Sequence, residues 1–276
     1  MSEQHEAARE IHLSATVIAQ DEEARLGDCL DSLSFCDEVL VIDGGSRDRT
    51  RAIAEEKGAR VLERKFDDFA SQHAFANQSA KGRWVLSLDA DERVSPELAK
   101  SLRALADTAP ESVPHAAYSM PFLNHFRGVP LRHGGLWPDR HLRFFRPDRC
   151  RIDPARRVHE KLLVTGAAGG LGSTGQLAAP VLHYGWTSFA QALQKTERYA
   201  DAAALAMHVK GKRGAALRMI AKPLWRFFRF YFLQLGFLDG TPGALVAALR
   251  AYEAYAREAR LWELSRFADA TEAPLR

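Results

Sequence analysis

The sequence predicts an α/β protein with a mostly parallel central sheet and a helical C-terminal extension, and three observations carry that prediction. Through the first hundred residues, short apolar runs alternate with longer stretches patterned as helices. Strands separated by helices of that length form βαβ units, whose parallel sheet is covered on both faces. Two of the apolar runs, "VLVID" and "WVLSLD", end on Asp43 and Asp89, and ligands of such sheets bind beyond the carboxyl ends of the strands. From residue 187 onward the strand pattern stops, and the chain reads as helical almost to its end.

The elements follow in order. "IHLSATVIA" (11–19) is the first strand, and "EEARLGDCLDSL" (22–33) is the amphipathic helix behind it. "EVLVID" (38–43) is the second strand, followed by a helix over 46–58 that opens at Ser46 or Asp48 and closes on Gly58. "ARVLE" (59–63), a helix over 67–82 and "RWVLSLD" (83–89) complete the pattern. Ser95-Pro96-Glu97 then opens a helix with a cap, a first-turn proline and a first-turn acid. Between about 115 and 183 come short strands and turns rich in His, Arg, Gly and Pro, with a flexible loop at "GAAGGLGSTG" (166–175). The helical region is broken by a turn at "GFLDGTPG" (236–243), and Pro223 should kink or divide the helix before it.

Composition narrows the class. A 276-residue chain with a net charge of +3 is not basic enough in total to point to nucleic acid. Three scattered cysteines without CxxC spacing indicate reduced thiols, neither a disulfide framework nor a zinc site. "MSEQHEAAREIHLS" lacks the features of a signal peptide, and "MIAKPLWRFFRFYFLQLGFL" is interrupted by Lys222, Arg226 and Arg229. The expected location is the cytoplasm.

Asp89, Asp91 and Glu92 crowd three carboxylates into one turn, which calls for a cation or a bound ligand to offset them. In a chain still nearly extended, Asp89 and Asp91 would point the same way. Oxygen ligands on a short turn suit Mg²⁺ or Mn²⁺; a solvated acidic turn that caps the next helix is the simpler alternative. In "VIDGGSRDRT" (41–50), Gly44 and Gly45 let a ligand approach the backbone, and Asp43 can accept hydrogen bonds from a base or ribose. An ordinary capped βα turn explains the same residues, and neither a GxGxxG nor a P-loop pattern is present.

Taken together, "VIAQDEEARLGDCLDSL", "EVLVIDGGSRDRT", "FANQSAKGRWVLSLDADE" and "RRVHEKL" resemble, in order and spacing, the inverting glycosyltransferases of family 2 with the GT-A fold. "VLHYGWTSFAQALQKTERYA" and "KPLWRFFRFYFLQLGFLDGTPG" are similar to the branch that includes lipopolysaccharide core glucosyltransferases. The resemblance implies a disordered N-terminus over 1–11 and a catalytic domain over 12–186. Residues 12–107 form its nucleotide-binding half and 108–186 its acceptor half, followed by a helical region over 187–276. It also implies that Ala19, Gln20, Glu22, Asp43, Gly45, Ser46, Asp89 and Ala90 contact a nucleotide-diphospho-sugar donor, by family analogy UDP-glucose. Asp21 replaces the family's usual Asn, so side-chain donation is lost there. Asp89 and Asp91 resemble the DxD, the first facing the ribose and the second a Mn²⁺ or Mg²⁺ on the diphosphate. Glu160, in "RRVHEKL", is the implied general base for inversion.

The arginine-rich "GGLWPDRHLRFFRPDRCR" (134–151) adds Arg140, Arg143 and Arg146 as phosphate-holding candidates, unless they are a solvated edge. His159 sits beside the base on the acceptor side, and His159 and His183 are candidate metal ligands, since neutral imidazole suits Mn²⁺. Absence of a QxxRW element favours addition of one sugar over polymerisation. In the tail, Arg218, Lys222, Arg226 and Arg229 share one side of a helix, and Leu217, Ile220, Leu224, Phe227, Phe228, Tyr231 and Leu235 crowd much of the remainder. Such a helix fits peripheral contact with an anionic membrane, or packing on the catalytic domain with its arginines in water. The reading is therefore a metal-dependent transferase that moves one sugar to an envelope glycan or glycolipid, with no nucleic-acid partner. Transfer to polyprenyl phosphate or to protein, a nucleotidyltransferase, and a non-catalytic nucleotide- or glycan-binding protein are the competing readings. A nucleotidyltransferase needs a basic Gly-rich loop after the first strand, where "IAQDEEARLG" is acidic.

Overall fold

The structure, a computed structural model, describes residues 10–152, 162–165 and 172–267. The chain divides into two compact units, Met1–Phe122 with Asp139–His183, and Leu123–Pro138 with Tyr184–Arg276.

The first unit opens with β1 (Leu13–Ala19), α1 (Leu26–Asp31), β2 (Glu38–Asp43), α2 (Thr50–Glu56), β3 (Arg60–Glu63), α3 (Phe69–Ser79) and β4 (Trp84–Asp89). These strands lie in the order β3-β2-β1-β4, all parallel. Every residue of β1 is buried, as a strand covered on both faces requires. Leu13, Ala15 and Val17 pack toward Leu26, Cys29 and Leu30 of α1, while Ile18 joins Leu40, Ile42 and Ala76 on the other face. Gly82 admits no side chain, because a Cβ there would lie 2.5 Å from the amide of Ser14.

The chain continues through β5 (Glu92–Val94), α4 (Pro96–Asp107), β6 (Ala117–Phe126), β7 (Val129–Pro130), β8 (Asp139–Phe145), β9 (Cys150–Ile152), β10 (Leu162–Val164), β11 (Thr174–Gln176) and β12 (Val181–Trp186). Beyond β4 the sheet runs β8-β6-β12-β5, and the β4–β8, β8–β6 and β12–β5 pairs are antiparallel. Trp84 and Phe144 stack at the join, with ring centroids 4.5 Å apart. Strands β9 and β10 form a separate antiparallel pair.

Three local expectations change. Helix α1 is shorter than 22–33, since Glu22–Arg25 form a turn in which the Glu22 carbonyl accepts from the amides of Arg25 and Leu26. Helix α2 opens at Thr50: the Ser46 hydroxyl is used on Asp43, and the Asp48 carboxylate accepts from the amide of Thr50 at 2.9 Å. The DxD segment is a turn at Ala90–Asp91 leading into β5, so Asp89 and Asp91 do not lie along one extended strand.

The second unit contains α5 (Phe189–Val209), α6 (Ala216–Phe228) and α7 (Gly240–Phe267). Its core joins Phe126, Leu131 and Leu136 to Ala192, Val246 and Leu249. Helix α6 runs through Pro223 and is not divided there. A π-helical turn at Arg229–Leu233 follows, and Leu235 then adopts a left-handed φ of 58°. Gly240–Gly243, expected as part of a turn, begin α7. Among the described residues, no single helix is long and apolar enough to cross a membrane. Ala216–Leu233 and Gly236–Phe267 meet that measure only as a pair bent by 71°.

Candidate active site

The strand register places the site. Asp43 lies opposite Ala19, and Asp89 lies opposite Ile18, so β1, β2 and β4 end at one edge of the parallel sheet. The order 3-2-1-4 makes that edge the crevice where such sheets bind ligands.

The turns after β1 and β2 are laced together. The Gly44 amide donates to the Ala19 carbonyl at 2.8 Å, and the Asp21 amide donates to Ser46 Oγ at 3.0 Å. Asp21 Oδ1 accepts from the Arg47 amide at 2.8 Å, while the Glu22 amide donates to Thr50 Oγ1 at 2.7 Å. Asp21 has φ 54°, a conformation that Asn and Asp tolerate better than most residues. Its carboxylate thus performs a loop-tying task that needs an acceptor only. Asp43 is buried and accepts from the Ser46 amide at 3.2 Å and the Ser46 hydroxyl at 2.5 Å. Gly45, at φ 96°, lets the chain turn between them. Gln20 packs beside Gly44, where a Cβ would come within 3.1 Å of the Gln20 Cβ. Glu22 is held by Arg25 through contacts of 2.6 and 2.7 Å. Burial nevertheless raises its pKa, against the pull of Arg25.

The acidic turn is neutralised largely by the chain itself. Arg143 Nη2 lies 3.2 Å from Asp89 Oδ2 and 3.4 Å from Glu92 Oε1, with its guanidinium over the Phe122 ring. His73 Nε2 lies 3.4 Å from Asp89 Oδ1, and His73 Nδ1 pairs with Ser87 Oγ at 3.1 Å. Burial disfavours the Asp89 carboxylate, but Arg143, His73 and His183 together hold its pKa well below the usual range. Glu92 Oε2 accepts from the Asp89 amide at 2.9 Å. Burial, reinforced by Asp89 and Asp91, pushes the Glu92 pKa well up despite Arg143. Asp91 Oδ2 faces His183 Nε2 at 3.6 Å and Arg25 Nη1 at 3.8 Å. There too burial opposes ionisation, and His183 outweighs it and lowers the pKa.

Asp91, Glu92 and His183 each offer a ligand atom, and these atoms lie within 4.8 Å of one another. The β5–β12 pairing creates this cluster by setting His183 opposite Glu92. Two carboxylates and one imidazole fit a small divalent cation, and the nitrogen donor suits Mn²⁺ better than Mg²⁺.

The other sequence candidates divide. Arg143 joins the acidic turn, whereas Arg140 donates to the Leu177 carbonyl at 2.8 and 3.0 Å. Arg146 pairs with Asp148 at 2.9 Å. Ala90 is buried, so any ligand contact there would come from its backbone. His159 and Glu160 lie outside the described residues. Sequence reasoning missed Arg25 and His73, and it did not group Glu92 with Asp91 and His183. Arg25 follows Glu22 at i+3, which was a readable signal, but His73 reaches Asp89 only through the packing of α3 on the sheet.

Residues 14–153 match the family description Glycosyl transferase family 2. The lipopolysaccharide core biosynthesis glycosyltransferase LpsC of Rhizobium meliloti is 30% identical over 90% of this chain and 93% of its own. An uncharacterized glycosyltransferase of Rickettsia typhi is 27% identical over 92% of this chain and 87% of its own. Among solved structures, residues 1–349 of Staphylococcus aureus TarS align with 95% of this chain and 93% of theirs, at 15% identity and a TM-score of 0.43. The chain belongs to glycosyltransferase family 2, and its parallel N-terminal half with an antiparallel continuation is the GT-A arrangement. It is a glycosyltransferase related to an enzyme of lipopolysaccharide core synthesis.

Proposed function

We propose that the protein is a metal-dependent inverting glycosyltransferase that moves one glucose from UDP-glucose to a lipopolysaccharide-core type acceptor at an anionic membrane surface. The observation that carries the reading is the convergence of Asp43, Asp89 and the Asp91–Glu92–His183 cluster at one sheet edge. Ala19, Gln20, Glu22 and the Gly45–Ser46 turn border the nucleotide. Asp43 fixes Ser46 and keeps lone pairs to accept from the base, since a carboxylate has about four acceptor sites. Asp89 and Ala90 face the ribose. Asp91 and His183, with Glu92, would hold Mn²⁺ or Mg²⁺, which when bound supplies positive charge against the diphosphate. Arg143 adds a fixed cation to the same turn, and Arg140 and, by the family resemblance alone, His159 are assigned to the acceptor.

For inversion, Glu160 takes the proton of the acceptor hydroxyl as its oxygen bonds to the sugar C1. The bond from C1 to the diphosphate oxygen breaks on the opposite face, and UDP leaves with that electron pair. The acceptor class rests on the kinship with LpsC, a lipopolysaccharide core biosynthesis enzyme by name.

A panel of nucleotide sugars with Mn²⁺, Mg²⁺ or EDTA tests the donor and metal. UDP-glucose with Mn²⁺ should protect best against thermal unfolding and be hydrolysed slowly. Equal protection in EDTA would remove the metal, and a stronger response to another sugar would replace the donor. Product extraction into organic solvent would move the acceptor to a polyprenyl phosphate.

A further inference from the structure

We propose that the second unit carries a binding pocket for the phosphate headgroup of an anionic lipid, placed beside an apolar face of α6 that enters the bilayer. This deepens the membrane reading above by assigning it a site. A cavity of about 340 Å³ is lined by Met207, Lys212, Arg213, Arg218 and Lys222, where the α5–α6 turn meets the start of α6. Arg218 and Lys222 are engaged by Glu258 of α7, at 3.2 and 2.5 Å, so two of the four lining cations are paired with a carboxylate there. Lys212 and Arg213 are exposed. The N-terminus of α6 has no side-chain cap, and its partial positive charge adds to the same field.

The second observation is the orientation of α6. In a helix packed on a water-soluble domain, apolar residues turn inward and charges outward. Here the cations are tied to α7, with Lys222 and Arg218 on the fully buried Glu258 while partly exposed themselves, and Arg226 on Glu253 at 3.1 Å. The opposite side presents Leu217, Ile220, Leu224, Trp225, Phe228 and Phe232, with exposures from 44% to 77%. Their spacing of three, four, one, three and four residues makes one continuous stripe. A contiguous apolar surface of this kind marks an interaction site.

The occupant follows from charge. Lys212 and Arg213 at the head of the stripe, with Arg218 and Lys222 beside them, are complementary to an anionic surface. A bilayer with anionic headgroups supplies both an apolar phase for the stripe and phosphates for the basic cavity, and aromatic residues suit its interface.

Co-sedimentation of the full chain with vesicles tests the site, using phosphatidylcholine alone and phosphatidylcholine with about one-third phosphatidylglycerol. The protein should pellet with the anionic vesicles only. Lys212→Ala with Arg213→Ala should lower that partitioning about 30-fold at an unchanged melting temperature, from the usual worth of two basic residues at such a surface. Leu224→Glu should abolish it, and millimolar inorganic phosphate should not compete the protein off the vesicles completely. Full retention by the double alanine variant overturns the pocket while leaving membrane contact in place. No pelleting of the native chain overturns both, and a dimer by light scattering that Leu224→Glu dissolves would give the face to a second copy.

Discussion

Arg143 sits where two acids of the DxD turn would otherwise repel, so the charge balance of the site is built in before any cation binds. Asp91 stands apart from that pair, with His183 Nε2 at 3.6 Å and Arg25 Nη1 at 3.8 Å as its neighbours. Asp91→Asn should therefore change stability by no more than about 1 kcal/mol, the range of weak ion pairs. It should also remove Mn²⁺-dependent turnover, which a comparison of rates with Mn²⁺ and EDTA, beside a melting curve, would check. Retained metal dependence would exclude Asp91 as a ligand. Glu160→Gln keeps the shape of the proposed base but cannot take a proton. It should slow transfer on the order of 10²–10⁴-fold with donor binding intact, as single-turnover rates and UDP titration would reveal. At Asp21, where only an acceptor is needed, Asn should substitute at a cost of less than about 0.5 kcal/mol. Ala should lose about 1–2 kcal/mol by giving up the Arg47 bond at a left-handed φ, and chemical denaturation would separate the two.

At the scale of elements, the parallel half was legible because each of its strands is a buried run bounded by a helix of readable period. Trp84–Leu88 and Val39–Ile42 place themselves by pattern alone. Strand β5 was not legible, since three residues after a turn carry no period, and only pairing with β12 makes them a strand. The same pairing brings His183 to Asp91 across about ninety residues, so the third ligand could be suspected from its chemistry but not placed. Helix α6 was read with the right two faces, yet nothing local tells which face meets α7. Glu258 decides it, as a carboxylate with no solvent exposure that must be matched by cations. Changing Arg218 and Lys222 together to Ala leaves that charge buried and unpaired, which should cost about 3 kcal/mol or more. Adding Glu258→Gln to the pair should recover most of the loss. If urea denaturation finds the triple variant no more stable than the double, Glu258 does not set the face.

Across the whole molecule, carboxylates held below their ordinary pKa set the response to acid. Burial works against ionisation of Asp37, but Arg103 and the amides of Leu13 and His12 outweigh it and lower its pKa. Glu38 is lowered in the same way by Ser14, Lys81 and Arg60, and Glu258 by Lys222 and Arg218. The Arg103 bond, opposed by burial, brings Asp107 down to about 2. A group whose folded pKa is depressed contributes stability that is complete above its unfolded value and is lost as pH falls through the folded one. The unfolded values are about 3.9 for Asp and 4.3 for Glu, so the loss should begin near pH 5 and continue below about pH 2, through the folded pKa of Asp107. Glu22 and Glu92, with raised values, act in the opposite sense and soften the decline slightly. The melting temperature should accordingly be nearly flat between about pH 6 and 8 and fall steadily below 5. Asp37→Asn isolates one contributor, since it keeps an acceptor for the His12 and Leu13 amides but loses the charge facing Arg103. It should be less stable than the native chain by about 1.5–3 kcal/mol at pH 7, the range for hydrogen bonds to charged groups, and the gap should close as the pH falls through the folded pKa of Asp37. A stability gap that persists unchanged into acid would assign the effect of Asp37 to packing, and the ionic explanation of the acid response would fall with it.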